Sequence, residues 1–137
     1  MAIRHTLLVV DDESSYVESV KDLLRRQYRV FGTTDPLEAL NLLDETEVHV
    51  VLTDQRMPKM SGIELLRRVR DKHPEAIRVI TSALYGPEEL RISCNVSKDE
   101  EDLFRYVGKP SPEDLMIAMQ QAVEEYERQA ERRRLPP

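Results

Sequence analysis

The chain has a single cysteine, Cys94, so no internal disulfide is possible and the fold must hold by packing alone. That usage fits a reducing compartment, and a cytoplasmic protein is expected. Long hydrophobic runs are also missing. The N-terminal run Leu7-Leu8-Val9-Val10 is too short for the core of a signal peptide and far too short for a membrane span, and Asp11-Asp12-Glu13 follow at once. There is no excess of positive charge: 20 Lys and Arg face 26 Asp and Glu, a formal net charge of −6. This balance argues against non-specific binding to nucleic acid or to an anionic membrane, and is compatible with binding a cation. No internal repeat, low-complexity linker or helix-turn-helix is visible. The 137 residues suit one domain with a core of its own.

What is present is an alternation of short apolar runs with helical stretches. His5–Val10 is the first strand candidate. A helix around Ser14–Arg26 follows, with Val17, Val20 and Leu24 on one face. Arg29–Phe31 is a short second strand. Asp35-Pro36-Leu37-Glu38 opens a helix with an N-cap, a proline in the first turn and a glutamate three residues after the cap. Val48–Thr53 is the third strand, an apolar run of the parallel-sheet kind. Ser61-Gly62-Ile63-Glu64 reads as a capping box before a helix over Ile63–Lys72. Ile77–Thr81 and Phe104–Val107 are the fourth and fifth strands, and Ser111-Pro112-Glu113-Asp114 opens the last helix. Such alternation predicts a doubly wound α/β fold, a five-stranded parallel sheet of order 2-1-3-4-5. The stretch from Tyr85 to Asp102 supports two readings. Gly86-Pro87-Glu88-Glu89 can start a helix, yet Leu90, Ile92, Cys94 and Val96 alternate as in a strand.

In a parallel sheet the residues at the strand ends share one edge, and the crevice there is the usual ligand site. Asp11 and Asp12 follow the first strand and Asp54 the third, and these two strands are neighbours in the predicted order. Two unit charges about 4 Å apart repel by roughly 4 kcal/mol at an effective dielectric near 20. Three carboxylates brought together must hold protons or a cation, and an all-oxygen set suits Mg²⁺. Ser82 brings a hydroxyl to the same edge and Lys109 a positive charge. An acidic metal pocket, a lysine and a hydroxyl are the set that phosphoryl transfer uses. His5, His49 and His73 are scattered, and none follows a predicted strand end, so no serine-hydrolase triad is in view.

At these residues the chain resembles the receiver domain of two-component response regulators. The matching pieces are Leu8-Val9-Val10-Asp11-Asp12-Glu13, Val51-Leu52-Thr53-Asp54-Gln55-Arg56-Met57-Pro58, Gly62-Ile63-Glu64-Leu65-Leu66, Ser82-Ala83 and Tyr106-Val107-Gly108-Lys109-Pro110. They span residues 5 to about 126, in order, on the expected elements. The resemblance implies the flavodoxin-like receiver fold and a phosphorylation-dependent switch rather than an enzyme of small-molecule turnover. By it, Asp54 is the phospho-acceptor and forms an aspartyl phosphate. Asp12, Asp11 through water, Asp54 and the backbone carbonyl of Arg56 hold Mg²⁺. Ser82, preferred to Thr81 because Ser82-Ala83 matches the family pair, is the switch hydroxyl. Tyr106 is the aromatic rotamer switch, and Lys109 pairs with the phosphoryl group before a cis bond to Pro110.

The implied partners are a sensor histidine kinase and an output domain or a second copy. The latter is reached through the fourth helix, fifth strand and fifth helix, the 4-5-5 face; no direct nucleic-acid or membrane contact is expected. One departure stands out: Ser82 to Lys109 is about one helical turn longer than usual in the family, so the output face is expected to be atypical. Residues 1–126 are read as the receiver and 127–137 as a helical extension or linker. Leu115, Met119, Ala122 and Tyr126 keep a heptad-like spacing that fits a coiled linker in a longer regulator, while Leu135-Pro136-Pro137 fits a natural end equally well. Two rivals are carried. One is a Mg²⁺-dependent phosphatase with an aspartyl nucleophile, many of which place Asp-x-Asp after the first strand. The other is a degenerate receiver that acts only as a binding module, against which Asp54 and Lys109 speak.

Overall fold

The computed structural model describes residues 4–108 and 110–136. The chain runs β1 (Thr6–Val10), α1 (Ser14–Leu24), β2 (Arg29–Thr33), α2 (Pro36–Glu45), β3 (Val50–Asp54), α3 (Gly62–Lys72), β4 (Ile77–Ser82), α4 (Pro87–Ser93), a 3-10 turn (Lys98–Glu100), β5 (Arg105–Gly108) and α5 (Pro112–Arg134). All five strands are parallel, in the order β2-β1-β3-β4-β5. The predicted fold class therefore holds.

The apolar runs of β1 and β3 are continuous because both faces of the sheet are covered. Alternate residues face opposite layers. Leu8, Val10, Val51 and Ile80 pack with Ala39, Leu43, Leu66 and Val69 of α2 and α3. Leu7, Val9, Val50 and Val79 pack with Val20, Leu24, Leu115 and Met119 of α1 and α5. Each such buried aliphatic side chain contributes roughly 1.5–3 kcal/mol. Among the described residues, no helix is long and apolar enough to cross a membrane.

The polar helix starts behave as their chemistry demands. Asp35 accepts from the Leu37 amide at 2.9 Å, Ser61 from Glu64 at 3.1 Å and Ser111 from Asp114 at 3.2 Å. Gly62 matters for the site: a Cβ there would collide with the backbone carbonyl oxygen of Asp54, and its amide donates to the Gln55 carbonyl at 3.0 Å. The glycine lets α3 start against the end of β3.

Between Tyr85 and Asp102 the helical alternative is the one that forms. Leu90 is buried and Ile92 is 77% exposed, on opposite sides of α4. Asn95 then takes φ 53°, the left-handed conformation that ends helices and that asparagine tolerates. That reversal returns Val96 to the core behind Leu90 and Cys94. The apparent strand alternation is thus four residues of helix read through a reversal of direction. In α5, Leu115, Met119 and Ala122 are buried and Tyr126 packs partly against the same core. The heptad-like face is therefore spent on the domain's own sheet. Ala130 is buried too, and Glu127 meets His5 at 2.7 Å, so α5 keeps touching the body beyond residue 126.

Candidate functional site

The parallel register fixes which side chains meet at the C-terminal edge. Val10 lies opposite Thr53, Asp54 opposite Thr81, and Ser82 opposite Gly108. Asp11 and Asp12 leave β1 at the level where Asp54 ends β3. One carboxylate oxygen from each of Asp11, Asp12 and Asp54 lies within 4.8 Å of the others. The neighbours expected from the sequence are neighbours.

This proximity is costly, and the protonation of the cluster reflects it. Asp11 is 8% exposed, and its Oδ1 accepts from the Glu13 amide at 2.9 Å. Burial first, then the charges of Asp54, Asp12 and Glu13, push its pKa up to about 6 against the opposing help of that amide. Asp54 is also shifted upward, chiefly by burial and then by Asp12 and Glu13, while the amides of Gln55 and Arg56 act to lower it. Asp12 is exposed at the mouth. The donor set is three carboxylates, all hard oxygens, with repulsion that a small divalent cation would relieve.

The cavity beside the cluster holds about 160 Å³ and is lined by Asp11, Glu13, Tyr16, Asp54, Thr81, Ser82, Ala83 and Pro110. A larger groove of about 670 Å³ lies beside α4, but no acidic cluster lines it, so chemistry and not size singles out the site. Ser82 is 5% exposed, and its Oγ accepts from the Tyr85 amide at 3.1 Å. Thr81 reaches the same cavity. Tyr106 lies one strand further out. Its hydroxyl donates to the Tyr85 carbonyl at 3.0 Å and to the Ser82 carbonyl at 3.4 Å, so it props the loop that follows Ser82. Arg56 is exposed in the loop after Asp54. Lys109, and with it the bond to Pro110, lies outside the described residues; Gly108 pairs with Ser82 and Pro110 lines the cavity.

Sequence reasoning missed two participants and one distant cluster. Tyr16 lines the cavity from the first turn of α1, a position that helix geometry aims back at the sheet edge. Gln55, next to Asp54, accepts from the Ile63 amide at 2.9 Å and donates to Cys94 Sγ at 3.3 Å, linking the loop to the starts of α3 and the end of α4. The histidines are less scattered than they look. His5 and His49 stack edge-on at 5.1 Å between ring centroids, with Tyr126 at 4.7 Å from His49. They do so before β1 and β3, at the opposite edge from the acids.

Comparison with known proteins agrees with this geometry. Residues 7–121 match the family described as the response regulator receiver domain. The chain is 36% identical over 132 residues to the hydrogenase transcriptional regulatory protein HoxA of Bradyrhizobium diazoefficiens, covering 96% of this chain and 26% of that protein. It thus spans about a quarter of the length of the curated relatives it matches. The signal receiver domain of an HD domain-containing protein from Pseudomonas fluorescens superimposes with a TM-score of 0.79 at 28% identity, covering 98% of this chain and 96% of that one. A CheY-like response regulator receiver domain from Methanospirillum hungatei gives 0.79 at 25% identity, covering 93% and 99%. The strand order, the acidic tips of β1 and β3 and this match together place the chain in the response regulator receiver domain family of two-component signalling.

Proposed function

We propose that the protein is a phosphorylation-dependent switch in which Asp54 accepts a phosphoryl group from the phosphohistidine of a sensor histidine kinase. The observation that carries this reading is the convergence of Asp11, Asp12 and Asp54 within 4.8 Å on a cavity of about 160 Å³. Organic-ligand pockets run to about 300–1,000 Å³, so this one suits a phosphoryl group rather than the body of a phosphate ester. That weighs against the phosphatase reading.

In the transfer, an Asp54 carboxylate oxygen attacks phosphorus in line. The phosphorus–nitrogen bond breaks and the imidazole leaves with the electron pair. When bound, Mg²⁺ held by Asp11, Asp12, Asp54 and the backbone carbonyl of Arg56 would neutralise charge on the transferring oxygens. Lys109 would pair with a phosphoryl oxygen. Ser82 accepts from Tyr85 through its oxygen, which leaves its own O–H proton to donate to the phosphoryl group. Movement of Ser82 toward that group strains the two bonds by which Tyr106 holds the carbonyls of Ser82 and Tyr85. Release of the Tyr106 ring then shifts the balance between two packings of the 4-5-5 face. Ile92, Leu84 and Tyr85 are exposed in the stretch from the end of β4 through α4 that this movement would alter.

HoxA is by its name a transcriptional regulatory protein. By analogy the switch here would speak to an output domain or a second copy, in the cytoplasm. Incubation with acetyl phosphate and Mg²⁺, followed by intact mass, tests the reading. One phosphoryl group on the wild type and none on Asp54→Asn is expected; equal labelling of both would overturn it.

A further inference from the structure

Tyr16 has no part in the transfer described above, yet it borders the reacting group. It is the third residue of α1. Cα–Cβ bonds of a helix tilt toward its N-terminus, so a first-turn side chain leans back over the sheet edge. There Tyr16 faces two hollows at once. On one side is the polar cavity of about 160 Å³ with Asp11, Asp54 and Ser82. On the other is an apolar groove of about 530 Å³ between α1 and the start of α5, with Val20, Leu23 and Leu115. Among the described residues, Tyr16 and Pro110 are the two shared by both linings. Burial, then the charges of Asp11 and Asp54, raise the pKa of its phenol O–H. That O–H has no hydrogen-bond partner among the described residues, so what the site receives from Tyr16 is chiefly the ring as a wall.

We infer that Tyr16 is a partition that sets the access of water to phosphorylated Asp54, and hence the lifetime of the switched state. The inference rests on the proposed acceptor role of Asp54. The ring stands between the polar cavity and the apolar groove. Without it the two hollows merge and solvent reaches the acyl phosphate from the groove. Water then attacks phosphorus, the bond from phosphorus to the Asp54 oxygen breaks, and carboxylate and inorganic phosphate are released. Hydroxylamine, a bulkier nucleophile, attacks the acyl carbon instead, forming the hydroxamate and releasing phosphate.

The test is the decay of protein labelled by acetyl phosphate, freed of donor and followed by intact mass, with and without hydroxylamine. Tyr16→Ala is expected to lose the label roughly fivefold faster or more, with a still larger gain in hydroxylamine sensitivity, while Tyr16→Phe stays within about twofold of the wild type. Tyr16→Ser serves as the small variant if Tyr16→Ala does not fold. Decay of the small variant within twofold of the wild type, or Tyr16→Phe decaying as fast as Tyr16→Ala, overturns the partition while leaving the acceptor reading intact. Failure of the wild type to take any label overturns that reading and the inference with it.

Discussion

The acidic tips of β1 and β3 and the segment that leads from α4 to β5 both gather charge, with opposite results. At the tips, burial and then like charge act on the carboxylates: Asp11 is pushed up to about 6, and Asp54 also rises. In the other region Glu100 is met by two cations. Glu100 accepts from Arg67 at 3.0 and 3.1 Å and from Arg70 at 2.6 Å, and its pKa falls to about 2 under those two guanidinium groups. Arg67 also caps the end of α4 by donating to the carbonyls of Cys94 and Asn95. Arg78 donates to the carbonyls of Leu103 and Asp102. Carboxylates that repel one another favour a cation, whereas a carboxylate met by two guanidinium groups holds the chain in place. The segment from α4 to β5 is thus clasped, tied to α3 and β4.

The largest effects are expected from breaking the site. Lys109→Ala should slow labelling by acetyl phosphate by roughly 10²-fold, the usual cost of removing one stabiliser of developing charge; a rate within twofold of the wild type would remove Lys109 from the mechanism. Next comes the cation. At a Mg²⁺ concentration about 100 times its dissociation constant, stability should rise by about 2.7 kcal/mol by mass action, read as the urea midpoint. Asp12→Asn should cancel most of this rise, and Arg67→Ala should leave it intact.

Breaking the clasp should cost less. Arg67→Ala is expected to destabilise by about 1–2 kcal/mol, since charged hydrogen bonds are lost from a partly exposed network. A change below a few tenths would make the clasp decorative.

Smallest, but opposite in sign between the two regions, is the pH response in the presence of a chelator. The folded pKa of Asp11 lies above its unfolded value, so its contribution is fully present below about 3.8 and is lost as pH rises through about 6. That of Glu100 lies below, so its contribution is present above 4.5 and is lost as pH falls toward about 2. Asp11→Asn should weaken the decline on the alkaline side alone, and Arg67→Ala the decline on the acid side alone. Identical profiles for both variants would dissolve the contrast.

The same contrast separates what was legible in the sequence from what was not. The acid tips could be read because a parallel sheet turns strand ends into neighbours: Val10 and Thr53 are in register, and the aspartates follow from that. The cap residues Asp35, Ser61 and Ser111 were legible because each acts within three residues of itself. The segment through α4 resisted because one left-handed residue, Asn95, reverses the chain and scrambles its apolar period. It is also tied down by Arg67 and Arg70, about 30 residues away, which no local pattern reports. Tyr16 was missed for a different reason: an aromatic in a first helical turn reads as ordinary packing until the tilt of the helix places it over the site. The stacking of His5, His49 and Tyr126 depends on three distant positions and has no one-dimensional signature.

The most direct measurement is chemical mapping of the label. Borohydride reduces an acyl phosphate of aspartate to homoserine, and peptide mass spectrometry then locates the changed residue. The account predicts homoserine at position 54 after treatment with acetyl phosphate and Mg²⁺. A label recovered at any other position, or a stable label that borohydride does not convert, would contradict it.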